Sequence, residues 1–283
     1  MNNGARGRLL LVGFGPGDHD QITPRALAAI RQSDVVIGYS TYIKLIADLL
    51  EGKQVIRKGM TEELDRASEA VEIAREGKTV ALVSSGDIGI YGMAGPTFEC
   101  LREMGWKPGD NPDVEVIPGI TALSACASLI GAPLTHDFAA ISLSDLLTPW
   151  DIIERRVEAA AAADFVIALY NPQSKRRNWQ LKRTQEIVLK YRPATTPVGI
   201  VKSAYRKLQN VVVSDLARLH EHEIGMLTTV IIGNTSTQSF EGLVVTPRGY
   251  ANKYDLETHE TLEGQTPGLS LRPSPAADGG SDE

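Results

Sequence analysis

Short apolar runs that each close on a glycine-bearing loop, followed by helix-like stretches, constrain this chain more than any other feature. Residues 9–12 (Leu9-Leu10-Leu11-Val12) run into Gly13-Phe14-Gly15-Pro16-Gly17-Asp18. Residues 79–83 run into Ser84-Ser85-Gly86-Asp87-Ile88-Gly89-Ile90-Tyr91-Gly92, and residues 114–117 into Pro118-Gly119-Ile120-Thr121-Ala122. Near-continuous apolar runs mark strands buried on both faces, and strands separated by helices pair in parallel. Further strands are expected at 35–37 and 54–57. Thr23-Pro24 supplies a helix N-cap and an N1 proline. A second helix is expected over 41–50, and Thr61 caps a third whose first turn carries Glu62 and Glu63, where acids suit the positive end of the dipole.

The second half continues in this style. Strands are expected at 139–143, 165–170, 198–201, 211–213 and 229–232, and Thr148-Pro149 opens a helix that runs to about Ala163. Gly, Pro and polar residues interrupt the pattern at 131–137, which sets a boundary there. The expected organisation is α/β in two domains, 1–133 and 134–250. From Lys253 onward Gly, Pro, Ser and acids dominate, so 251–283 is expected to be a disordered acidic tail.

Composition removes several classes. No apolar run approaches the ~18 residues that cross a bilayer, and the 9–12 run lacks a small-residue cleavage site. Cys100 and Cys126 alone do not make a disulfide framework. The expectation is a cytoplasmic enzyme without a membrane partner. The net charge of −6 is unevenly spread: the tail carries seven acids and two bases, while residues 171–210 hold ten bases and one acid, Glu186. Either this basic run is a solvated face or it meets an anion. A nucleic-acid surface interleaves basic residues with stacking aromatics, and only Trp179, Tyr191 and Tyr205 lie here, so nucleic acid is not expected and a small polyanion fits better.

Motifs narrow the chemistry. The first loop lacks the third glycine of a dinucleotide fingerprint, because Asp18 stands there, and Asp34 precedes the next strand instead of ending it. His220-Glu221-His222 points its rings to different sides of a helix, and no H-E-x-x-H, C-x-x-C or G-x-S-x-G occurs, so neither a metal nor a serine nucleophile is expected. Asp87, at the carboxyl end of a parallel strand, suits a ligand or a helix cap. Thr121 has the same two readings.

Together the three loops resemble the tetrapyrrole methylase family, which uses S-adenosylmethionine on corrin and sirohaem precursors. The likeness covers about 9–250. Ser84–Gly95 (SSGDIGIYGMAG), His136-Asp137-Phe138, 141–150 (ISLSDLLTPW), Tyr170-Asn171-Pro172 and 246–250 (TPRGY) are similar, within that family, to the enzymes that methylate C17 of the cobalamin precursor. Relatives often carry proline where Ile88 stands. The resemblance implies a two-domain homodimer with the methyl donor in the cleft between domains, on Pro16, Ser85, Gly86, Asp87, Ile90, Thr121, Ala122, Asn171, Ala204 and Gly233. It implies methylation with ring contraction of cobalt-precorrin-3 or precorrin-3B, whose carboxylates give Lys175, Arg176, Arg177, Lys202 and Arg206 an expected partner. Ring contraction needs proton transfers, for which His136 and Asp145, with Asp137 and Ser144 beside them, are the candidates.

Overall fold

The computed structural model describes residues 6–59, 61–174 and 176–272. Its first sheet consists of β1 (Arg8–Gly13), β2 (Val35–Tyr39), β3 (Gln54–Lys58), β4 (Thr79–Ser84) and β5 (Asp113–Ile117), in the order β3-β2-β4-β1-β5. Every pairing is parallel. Because side chains alternate along a strand, Leu9 and Leu11 face α3 (Glu63–Arg75) and α4 (Ala94–Glu103), while Leu10 and Val12 face α1 (Pro24–Gln32) and α2 (Ser40–Leu45). Both faces are covered, as an all-parallel sheet requires.

Helix starts follow the expected chemistry only in part. Thr23 caps α1, accepting from Ala26 N at 3.1 Å, with Pro24 at the first helical position. Thr61 does not cap α3. Glu62 holds that position, and its carboxylate accepts instead from the Gly59 backbone N–H. The second helix ends at Leu45, and a short 3-10 turn, Ala47–Leu49, completes the expected span.

The second sheet comprises β7 (Phe138–Ser142), β8 (Val166–Tyr170), β9 (Pro197–Lys202), β10 (Asn210–Asp215) and β11 (Thr228–Ile232), ordered β10-β9-β11-β8-β7. Only β7 and β8 are parallel; β11 runs antiparallel to both β8 and β9, and β10 antiparallel to β9. One face is covered by α6 (Trp150–Ala162) and α7 (Gln180–Val188). Pro149 occupies the N-cap position of α6, one residue later than Thr148, with no side-chain cap. The other face is covered by α5 (Ala122–Ile130), whose Leu123, Cys126 and Ile130 pack with Val166, Val201 and Ile231. Packing therefore changes over at 118–121, ahead of the expected boundary after 133. A small third sheet joins β12 (Gln238–Phe240), β13 (Leu243–Val245) and β6 (Gly131–Ala132).

The described part of the tail differs from the disorder expected of it. It carries a 3-10 turn at Tyr250–Asn252, a bridge between Tyr254 and Thr261, and Asp255 accepting from Glu257 and Thr258 N–H groups. Its side chains are mostly exposed. No described helix is long and apolar enough to cross a membrane.

Candidate functional site

The three glycine loops leave β1, β4 and β5 at the same end of the first sheet, and they pack on one another. Gly15 and Gly86 form a two-way backbone bridge, with N–H to O distances of 3.0 and 2.7 Å. A side chain at Gly119 would strike the carbonyl oxygens of Gly13 and Gly86. The glycines thus serve first to bring three strand ends within backbone contact.

Asp87 ties this knot. Its Oδ1 accepts from Gly89 N at 2.8 Å and its Oδ2 from Gly119 N at 3.0 Å. Both oxygens are engaged by backbone donors, so Asp87 shapes the loops and lines the site without offering a free base. Ile88 is fully buried against the first core, where an apolar residue is at home.

Against the knot stands the end of the second sheet formed by the carboxyl ends of β8 and β9 and the start of β11. Between them lies an open cavity whose empty space, mouth included, is about 810 Å³. Pro16, Ser85, Gly86, Asp87, Ile90, Thr121 and Ala122 line it from the first side, and Asn171 and Ala204 from the second. Gly233 does not line it. Because β11 is antiparallel to its neighbours, Gly233 follows its far end; Thr228 and Thr229 at its start, with Met226 and Leu227, take the place at the cavity.

Thr121 sits at the N-cap position of α5 but does not cap that helix through its side chain. Its Oγ1 instead lies 2.6 Å from Tyr170 Oη, and that phenol oxygen accepts the Leu123 N–H at 2.8 Å. A tyrosine of the second sheet caps the helix that leaves the third loop. Tyr91 reaches across in the same way, donating to Ala140 O at 3.0 Å and stacking tilted on Tyr170 at 4.9 Å between ring centres.

The phenols and the thiol of the cavity hold their protons more firmly than usual. Burial pushes the Tyr170, Tyr91 and Tyr42 phenols up, and pushes the Cys126 thiol up to about 11. Three non-glycine residues in the left-handed region line the cavity, Tyr91 (φ 52°), Asn171 (φ 49°) and Ser203 (φ 53°). Such backbone persists only where its surroundings enforce it, and it gathers at functional sites. Tyr42, Cys126, Ser203 and residues 226–229 are lining groups that the sequence reading missed, with no local pattern to announce them; Tyr91 and Tyr170 also line the cavity and lie within the motif stretches without being singled out there.

The proton-transfer candidates lie elsewhere. His136 lies two residues before β7, at the end paired with Val166, six residues or roughly 20 Å of extended chain from Ser142. Its Nδ1 accepts from Asp137 N, and both side chains are exposed. Asp145 follows β7 at the cavity end but stands behind Asn171, accepting from Gln180 Nε2 at 2.8 Å and facing Arg177 at 3.8 Å.

The basic run is not one face, because acids distant in sequence neutralise it. Arg177 is buried, donating to the Leu143 and Asn171 carbonyls, and so is structural, not a surface clamp. Arg192 is buried and holds the Phe165 and Gly233 carbonyls beside Asp164. Arg183 pairs with Glu154, Lys190 with Glu158, and Lys202 with Glu223 at 2.9 Å. Arg206 donates to Pro16 O and Ser85 Oγ, both at 2.6 Å. Arg176 is exposed, and Lys175 lies outside the described residues. Among the described residues no group of three or more His, Cys, Asp or Glu is placed to hold a metal ion.

Comparison with known proteins agrees with this geometry. The model of the Tetrapyrrole (Corrin/Porphyrin) Methylases matches residues 8–220. A cobalt-factor III methyltransferase of Priestia megaterium is 57% identical over 90% of this chain and 47% of its own length, so the chain spans about half of that relative. A probable cobalt-factor III C(17)-methyltransferase of Salmonella typhimurium is 46% identical over 86% of this chain and 99% of its own. The solved methyltransferase CobJ matches with a TM-score of 0.80 at 38% identity, covering 85% of this chain and 100% of CobJ. This chain belongs to the tetrapyrrole (corrin/porphyrin) methylase family.

Proposed function

We propose that the protein transfers a methyl group from S-adenosylmethionine to C17 of a cobalt-containing corrin precursor in cobalamin synthesis, with contraction of the ring. The observation that carries this reading is the cavity where the three loops meet the second sheet, in a chain 57% identical to a cobalt-factor III methyltransferase. The lining fits the donor: apolar Ile90, Met226 and Leu227 beside hydroxyls of Thr121, Ser85 and Thr228, with Asp87 already engaged by backbone. When bound, S-adenosylmethionine supplies an electrophilic methyl group, which the macrocycle carbon takes directly.

The chain's own work is alignment. Holding reactants in line supplies roughly 7–11 kcal/mol of a barrier, and a knot of backbone hydrogen bonds is a rigid support for it. Tyr91, Tyr170 and Cys126 remain protonated at neutral pH, so they do not compete with the macrocycle for the methyl group. The two phenols, with Thr121, are proton-bearing groups that line the cavity, and they replace His136 as candidates for the proton transfers of ring contraction. Asp145 acts through Arg177 and Asn171, as a support of the cavity wall. Arg176, exposed and outside the ion pairs of the basic run, remains for the macrocycle carboxylates. As in the family resemblance, the working unit is a homodimer.

The test is turnover. Purified protein is incubated with S-adenosylmethionine and either cobalt-factor III, cobalt-precorrin-3 or precorrin-3B, and product mass and absorption spectrum are followed. One added methyl with a ring-contracted spectrum on a cobalt substrate is expected. The same product only from precorrin-3B reverses the choice of metal-bearing substrate, and no methyl transfer to any of them overturns the reading.

A further inference from the structure

We propose that Arg206 is a positioning residue that bolts the two domains together around the donor cavity, gripping the first and second glycine loops from the opposite sheet. The inference rests on the reading of that cavity as the donor site. Arg206 leaves the segment after β9 and crosses to the first domain, where Nε donates to Pro16 O and Nη2 to Ser85 Oγ. One guanidinium therefore links two loops that carry expected donor contacts to the sheet that carries the others. With two of its nitrogens so engaged, it is poorly placed to clamp macrocycle carboxylates at the surface.

Three independent features support a built bolt. Burial pulls the Arg206 guanidinium below its ordinary value, and no described carboxylate lies within ion-pair distance of it. A half-buried cation with only neutral oxygens for partners is unfavourable unless the position serves a purpose. Next, Gly17 has φ +142°, and a Cβ there would stand 3.0 Å from Arg206 Cγ and 3.1 Å from Nε. The last glycine of the first loop thus leaves room for an arginine 189 residues further along the chain. Finally, the arginine is presented by strained backbone: Ser203 and Tyr205 have φ of 53° and 54°. That strain is held by Ser203 N on Leu227 O, Tyr205 N on Gln209 Oε1, and Tyr205 Oη against Ser128 Oγ. Left-handed residues over-determined in this way are kept for what they position. The fork geometry matters too, because a lysine ammonium is a point donor that does not reproduce the planar grip on two acceptors.

The experiment compares wild type, Arg206→Gln, Arg206→Lys, Ser85→Ala and the Arg206→Gln/Ser85→Ala double variant. S-adenosylhomocysteine affinity is measured by calorimetry, and amide hydrogen exchange of 14–18 and 84–89 is measured without ligand. Folding of each variant is checked by its melting curve, and Ser85→Ala, which removes only a hydroxyl, keeps the test open should Arg206→Gln not fold. Arg206→Gln is expected to bind about tenfold more weakly and to exchange faster in both segments. Arg206→Lys should fall between it and wild type, and the double variant should bind no worse than Arg206→Gln, as expected when both residues act through one contact. Wild-type exchange in both segments, with affinity within twofold of wild type in Arg206→Gln, overturns the bolt. If wild type itself does not bind S-adenosylhomocysteine, the donor reading fails, while the exchange comparison still decides whether Arg206 holds the loops.

Discussion

Replacing Asp87 with alanine removes the one side chain that ties the second glycine loop to the third. Two backbone donors lose their acceptor, Gly89 N at 2.8 Å and Gly119 N at 3.0 Å. Hydrogen bonds to a charged acceptor contribute roughly 1.5–3 kcal/mol each. Gly89 is exposed, so water replaces much of its share; Gly119 is half-buried and recovers less. The expected loss is therefore about 2 kcal/mol, well short of two full bonds. Asp87→Asn keeps one carbonyl oxygen and turns an NH2 toward the other donor, so its loss should lie between wild type and Asp87→Ala. Urea unfolding gives the stability change as a shift of midpoint, and calorimetric titration with S-adenosylhomocysteine gives the binding change, expected to be about tenfold for the alanine variant. An Asp87→Ala protein that unfolds at the wild-type urea concentration and binds with wild-type affinity would refute the argument that this carboxylate holds the loops.

Gly119→Ala places a Cβ against the Gly13 and Gly86 carbonyls; backbone does not yield as a side chain tip does, so a loss of roughly 1–3 kcal/mol or more in urea unfolding is expected, with weakened donor binding. Arg177→Ala and Arg176→Ala should separate cleanly. The first leaves the Leu143 and Asn171 carbonyls without their donor and Asp145 without its ion-pair partner and lowers the melting temperature, whereas the second leaves stability unchanged and raises KM for the macrocycle. Alkaline stability carries a signature of Cys126. Its folded pKa is raised from 9.0 to about 11 by burial, so the folded state keeps a proton that the unfolded state releases, and stability falls as pH rises from about 9 to 11. The full effect is on the order of 2–3 kcal/mol, and Cys126→Ala should show a shallower decline in melting temperature across that window.

Much of the first domain was legible because its signals are local. β1, β2 and β4 are apolar runs, and the polypeptide direction is the same in all five strands, so loops read as lying after strands also lie at one end of the sheet. The same rule misplaced Gly233. An apolar run does not disclose its direction, and β11 enters the second sheet reversed, which exchanges its start for its end at the cavity. Charge failed for a related reason. Counting bases over 171–210 ignores Glu154, Glu158, Asp164 and Glu223, which come from other elements and neutralise them in space. Helix α5 follows the third loop without a break, yet its Leu123, Cys126 and Ile130 fit the second sheet, a choice that only tertiary packing makes. Tyr91, Asn171 and Ser203 take left-handed backbone where partners distant in sequence meet them, Ala140 for Tyr91, Ser142 for Asn171 and Leu227 for Ser203, and nothing beside them in sequence asks for it. Strands of two or three residues, such as β6 and β12, are too short for any periodicity to show.

The central claim is the place of the donor: the cavity between three interlocked loops and the reversed second sheet. Amide hydrogen exchange with and without S-adenosylhomocysteine tests it directly. Protection is predicted in 15–17, 84–91, 119–123, 203–206 and 226–229, with none at 233–237 beyond the far end of β11. Protection confined to 233–237, or to the surface cleft around His19, Lys207 and Gln209, with 84–91 and 119–123 unchanged, would contradict the account.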